Sequence, residues 1–152
     1  EGVGDAVGAE ASGYINVDGM GGGRAGGGKG LLARDLARVG MMMANGGQRD
    51  GKKIIPASWI EDIVRNGDPK AWKNGDFYDN MGQRDIHYRS KWYIQRGTEP
   101  MIFGIGIHGQ FLFVDPARKL SVAWFSSQHT PMDSEPFEKT LTTIERIRAL
   151  IS

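Results

Sequence analysis

The sequence predicts an α+β domain: helices first, an antiparallel sheet after them, and one more helix to cover the sheet. Three observations carry this. Apolar residues recur at helical spacing over 31–45 and 56–66. The stretch 87–128 holds β-type runs rich in Ile, Val, Phe and Trp. Only Asp115-Pro116-Ala117-Arg118-Lys119 joins the last two runs, a link that demands antiparallel neighbours. Helices and strands that segregate in this way, instead of alternating, argue against a parallel βαβ sheet.

Taken in order, "LLARDLARVGMMMANGG" places Leu32, Leu36, Val39 and Met43 on one helix face. Arg34, Asp35 and Arg38 lie off it, with Asp35 and Arg38 spaced for an ion pair, and Asn45-Gly46-Gly47 forms a stop. A second helix begins with Pro56 in its first turn, is expected to bury Trp59, Ile60, Ile63 and Val64, and closes at Asn66-Gly67. Residues 68–84, polar and rich in aromatics, Gly and Asn, read as a long loop bordering a site. "HYRSKWYIQ", "FGIGIHGQFLFVDP" and "LSVAWFSSQ" read as three β runs, with Trp92 and Trp124 as core. The last helix takes Asp133 or Ser134 as its N-cap and lines Phe137, Leu141, Ile144, Ile147 and Ile151 into one stripe.

Composition excludes several function classes. The 152 residues, 39% of them hydrophobic, suffice for one core. Nineteen basic and eighteen acidic side chains are interspersed for a formal charge of +1, so neither nucleic acid nor a membrane surface is an expected partner. No apolar run is long enough to span a bilayer. Without cysteine there is no thiol chemistry, and the three histidines lack metal-ligand spacing, so no metal or cofactor is expected. His87 and His129 read as surface or loop residues.

"DGMGGGRAGGGKG" invites comparison with a phosphate-binding loop. Gly23, Gly28 and Lys29 have the spacing, but Gly30 stands where a magnesium-binding hydroxyl should be. The preceding "GYINVDG" is also too polar for a buried parallel strand. Close passage of the backbone before the first long helix is the better reading of these glycines.

The segment "GGGKGLLARDLARVGMMMANGG", then "YRSKWYI", then "GIGIHGQFLFVDPARKLSVAWFSSQ", in that order, resembles serine hydrolases of the β-lactamase and class C penicillin-binding-protein superfamily. The likeness is greatest to the branch related to 6-aminohexanoate-dimer hydrolase, and it covers nearly all of the chain. The resemblance implies the β-lactamase/transpeptidase-like fold and acyl transfer from a small-molecule ester, amide or lactam to the serine of a Ser-x-x-Lys motif. It also implies an oxyanion-hole amide on the sheet's inner edge strand. The matching stretch here is Gly104 to Gln110, with the amide of Ile107 as donor and Gly106, His108, Gly109 and Gln110 at the substrate.

None of the eight serines, at 12, 58, 90, 121, 126, 127, 134 and 152, has Lys three positions on. Tyr14-Ile15-Asn16 and Tyr78-Asp79-Asn80 mimic the family's Tyr-x-Asn motif but sit at the wrong place in its order, and both read as structural. The expectation is that residues 1–152 are the C-terminal part of one such hydrolase domain. Its N-terminal part, carrying nucleophile, Lys and Tyr, would then be the natural partner of this piece. A non-catalytic small-molecule-binding module of the same fold is the alternative.

Overall fold

The computed structural model describes residues 3–23 and 28–151. One helical turn, α1 (Val3–Ala6), leads to Val7, which is buried in the core. A two-residue hairpin follows, β1 (Tyr14–Ile15) against β2 (Lys29–Gly30). Lys29 is thus paired in a strand and not held at a helix N-terminus, where a phosphate loop would need it. Arg24, Ala25, Gly26 and Gly27 of that motif lie outside the described residues.

The first long helix, α2, spans Ala33–Ala44, and Met42, Met43 and Ala44 bury its inner face. Leu36 and Val39 pack beside them, while Leu32, which precedes the helix as its N-cap residue, is exposed. The Asn45-Gly46-Gly47 stop returns the Gly46 and Gly47 amides to the carbonyls of Met43 and Met42, both at 3.0 Å. A tight hairpin, β3 (Gln48–Arg49) with β4 (Lys52–Lys53), connects to α3 (Ala57–Arg65), which Pro56 precedes as N-cap.

Ile60 and Ile63 of α3 are buried as expected, but Trp59 is 39% exposed. It sits one residue, about 100°, round the helix from Ile60 and so falls off the face that meets the sheet. The expected long loop is also partly ordered. Asp68 accepts a 2.8 Å bond from the Lys70 amide and starts α4 (Pro69–Lys73), and a single 3₁₀ turn follows at Asp79–Met81. Trp72 and Met81 are buried from this stretch. Its Asp-Pro start is a capping signal that the polar composition concealed.

The three expected β runs are five strands. β5 (Ile86–Arg89), β6 (Trp92–Gln95), β7 (Met101–Gly106), β8 (Gln110–Asp115) and β9 (Leu120–Trp124) form an antiparallel sheet in chain order. The first run folds at Ser90-Lys91, both at positive φ (50° and 70°), as a two-residue hairpin turn requires. The second folds at Ile107-His108-Gly109. These turns were hidden because both sheet faces are covered, which makes the strands near-continuous apolar runs.

Ile94, Ile102, Leu112 and Val114 pack under α2 and α3. On the other face Ile86, Met101, Phe103, Phe111 and Phe113 pack under α5 (Ser134–Leu150), whose Phe137, Leu141 and Ile144 are buried. Asp133 is its N-cap, accepting from the Glu135 amide at 3.2 Å, and Ile151 lies just beyond the helix, exposed. Aromatic rings run across this face from Trp72 through Tyr93, Phe103, Phe113 and Phe111 to Phe137, with neighbouring centroids 5.4–5.9 Å apart.

Two buried polar residues tie the layers together. His87, expected at the surface, is 2% exposed on β5, and its Nε2 lies 2.9 Å from the Ile63 carbonyl on α3. Gly67 permits this, since a Cβ there would collide with the imidazole. Asp115, 1% exposed at the end of β8, accepts from the Ala117 and Arg118 amides and from the guanidinium groups of Arg118 and Arg148. Burial pushes its carboxyl up, but the Arg148 and Arg118 bonds together outweigh burial and hold it below the ordinary range. Among the described residues no helix is long and apolar enough to cross a membrane.

Candidate functional site

The residues singled out from the sequence sit together on the β7–β8 turn. Gly106 ends β7 opposite Gln110, the first residue of β8, and Ile107, His108 and Gly109 form the bend between them. His108 and Gly109 both take positive φ, 59° and 77°. Glycine adopts this region freely; for histidine it costs about 1 kcal/mol, so something must hold the ring and backbone there.

What holds them is the segment after β9. The His108 amide donates to the Pro131 carbonyl at 2.9 Å, and the His108 carbonyl accepts from the Gln128 amide at 3.1 Å. Ser126 Oγ donates to the carbonyls of His108 and Gly109 at 3.2 and 2.9 Å. The Gln110 side-chain amide donates to the Ser126 carbonyl, and His108 Nδ1 lies 2.9 Å from the Gln128 carbonyl. Gly109 is buried beneath these groups, and a Cβ on it would collide with Ser126 Oγ and Gln128 Nε2. The glycine therefore serves a turn and a close approach together.

None of the bonds that fix the turn engages the Ile107 N–H, and Ile107 is 61% exposed. The backbone beside it is open too. β6 pairs with β7 only through Met101, Ile102 and Phe103, so among the described residues Gly104 to Gly106 have β8 on one side and no strand on the other. The expected inner edge strand is thus the middle strand of the described sheet over its first half and an edge only over its second. The open half of β7 thus runs into the turn that carries Ile107 and His108.

Ser126, Gln128 and Pro131, which lock the turn, were not singled out from the sequence. The available signal was small: a polar Ser-Ser-Gln run directly after an apolar strand. The other candidates lie elsewhere. Tyr14 is exposed on the first hairpin, and Tyr78 packs against the apolar layer under α5.

Asp35 and Arg38 do pair, and Asp35 is 2% exposed. It also accepts the Glu10 and Ala11 amides at 2.9 and 3.3 Å, binding the N-terminal segment to α2. The Glu10 amide first, and Arg38 after it, hold the Asp35 carboxyl below its ordinary range. A groove of about 490 Å³ lies beside Arg38, Met41, Asn45 and Arg49. Lys119 Nζ, 2.8 Å from the Ala44 carbonyl, ties this end of α2 to the β8–β9 turn, at the opposite end of β8 from Ile107. Among the described residues no group of three or more His, Asp or Glu is gathered that could hold a metal ion.

No family model matches the chain. Over 123 residues it is 34% identical to the 6-aminohexanoate-dimer hydrolase of Paenarthrobacter ureafaciens, an alignment that takes in 81% of this chain and 31% of that protein. The solved structure named "Putative 6-aminohexanoate-dimer hydrolase from Bacillus anthracis" is similar to it with a TM-score of 0.76 and 29% identity, over 95% of this chain and 35% of that one. The chain therefore spans about a third of the length of each.

Proposed function

The chain is a relative of the 6-aminohexanoate-dimer hydrolases, a branch of the serine hydrolase superfamily, and on that premise we propose that it works as part of an acyl-transfer hydrolase for a small amide, ester or lactam. The nucleophile comes from outside these 152 residues, since no serine here is followed by Lys at the third position. A Ser-x-x-Lys serine attacks the substrate carbonyl, the carbon–oxygen bond of the acyl-enzyme forms, and the leaving amine or alcohol takes the serine's proton as its bond to carbon breaks. Water then releases the acid.

The part assigned to this chain is electrostatic. As negative charge grows on the carbonyl oxygen, the Ile107 N–H donates to it, and Gly106, His108, Gly109 and Gln110 form the wall against which the substrate lies. A donor already fixed in place costs no reorganisation at the moment of reaction. The observation that carries this reading is the locked turn, whose described hydrogen bonds leave the Ile107 N–H unengaged, next to the half of β7 that no described strand pairs on its second side.

The absent Ser-x-x-Lys favours a second reading, a binding module of the same fold that holds a small carbonyl compound without turning it over. Hydrolysis of a p-nitrophenyl ester separates the two, measured with this chain and with the chain extended through the nearest upstream Ser-x-x-Lys in its source DNA. Activity only in the extended chain, abolished by replacing that serine, is the expected result. No activity in either would leave the binding module.

A further inference from the structure

Three Asn-Gly pairs, Asn45-Gly46, Asn66-Gly67 and Asn74-Gly75, close α2, α3 and α4. Glycine after asparagine lets the backbone nitrogen approach the side-chain amide carbon, because no Cβ stands in the way. All three asparagines are exposed and share nearly one backbone conformation, with ψ of 23°, 18° and 3°. What separates them is the nitrogen that would attack. The Gly46 N–H donates to the Met43 carbonyl and the Gly75 N–H to the Trp72 carbonyl, both at 3.0 Å. Among the described residues no acceptor takes the Gly67 N–H. The acceptor an α-helix would offer it, the Ile63 carbonyl four residues back, instead lies 2.9 Å from His87 Nε2. The imidazole that ties α3 to β5 thus takes the carbonyl with which α3 would have held its own last amide.

We propose that Asn66-Gly67 is a modification site, at which the chain deamidates itself while its other two Asn-Gly pairs are protected by the fold. The Gly67 nitrogen gives its proton to solvent base and bonds to Asn66 Cγ. The Cγ–Nδ2 bond breaks, and Nδ2 takes up a proton and leaves as ammonia. Water then opens the five-membered imide at either carbonyl, which leaves aspartate or isoaspartate at position 66. The attack requires the peptide plane of the glycine to rotate. At Gly46 and Gly75 that rotation breaks a backbone bond beside buried Gly47 or Trp72, so packed chain must move. At position 66 the restraint is a side-chain bond, Nδ2 to Asp62 Oδ1 at 2.9 Å, which is exposed and opens by rotation of the side chain alone. The product sets a second carboxylate one turn from Asp62, at the end of α3 where negative charge is disfavoured. Asp62 also holds Arg89 of β5, at 2.6 and 2.9 Å, so the change falls on the junction of α3 with the sheet.

The test ages the 152-residue chain in mildly alkaline buffer, folded and in urea. Pepsin then cuts it at acid pH, where the reaction stops, and the peptides are separated and weighed. Conversion shows as a gain of one mass unit, with distinct aspartate and isoaspartate peaks. In urea the three pairs should react at similar rates, since each is Asn-Gly. In the folded chain position 66 should convert at least about fivefold faster than positions 45 and 74, the factor a retained amide hydrogen bond makes. Equal rates at the three positions of the folded chain, or the slowest conversion at 66, would overturn the proposal. His87→Leu frees the Ile63 carbonyl for the Gly67 N–H and should slow conversion at 66 alone, with circular dichroism checking the fold. An unchanged rate in that folded variant would overturn the part given to the imidazole. Asn66→Asp, which carries the charge of the product, should unfold at lower urea than the parent, and an equal midpoint would contradict the effect on the α3 junction.

Discussion

At the scale of single residues, three positions decide whether the turn and the core hold their shape. Gly109→Ala puts a methyl group against Ser126 and Gln128 at a φ of 77°, and we expect a loss of about 2 kcal/mol in urea unfolding. Gly67→Ala drives a Cβ into the His87 ring and should cost a similar ~2 kcal/mol, read in the same way. Asp115→Ala leaves Arg118 and Arg148 facing each other without their shared carboxylate, with an expected loss of about 3 kcal/mol. The pH dependence follows from the lowered carboxyl. Its stabilisation is complete above the ordinary value of 3.8 and is lost as pH falls below that toward the depressed folded value. Thermal melts across that window should fall in the parent more steeply than in Asp115→Asn, which cannot titrate there. His87 was illegible in the sequence because its burial depends on a glycine twenty residues away, and no local pattern records that contact.

At the scale of elements, the long helices were legible and the hairpins were not. The stripes of α2 and α5 repeat over three or more turns, so the period survives one misplaced residue at an end, as with Leu32 and Ile151. A sheet covered on both faces gives no alternation, and residues such as Ser90, Lys91 and His108 are poor advertisements for left-handed turns. The run containing Ile107 was therefore read as one strand, although the residues at the candidate site were named. The covering role of α5 gives a direct check. Leu141→Ala empties a fully buried site between α5 and the sheet and should cost about 3 kcal/mol, with the denaturant midpoint falling at unchanged slope.

At the scale of the whole molecule, the chain has two well-filled layers and one apolar flank. Tyr14, Ile15, Val17, Met20 and Leu32 are each at least half exposed around the first hairpin. If the proposed remainder of the hydrolase covers this flank, the 152-residue chain should bind a hydrophobic dye and self-associate in sedimentation velocity, and the extended chain should do neither. The central claim concerns one N–H. Ile107 is not among the residues at positive φ, so the backbone does not bar Ile107→Pro, which removes the donor. In the extended chain, the measurement to make is kcat for p-nitrophenyl acetate with and without this substitution, with circular dichroism checking the fold. A kcat lower by about 10²- to 10³-fold at a similar KM is expected for a lost oxyanion donor. An unchanged kcat in a folded variant would contradict the role assigned to Ile107.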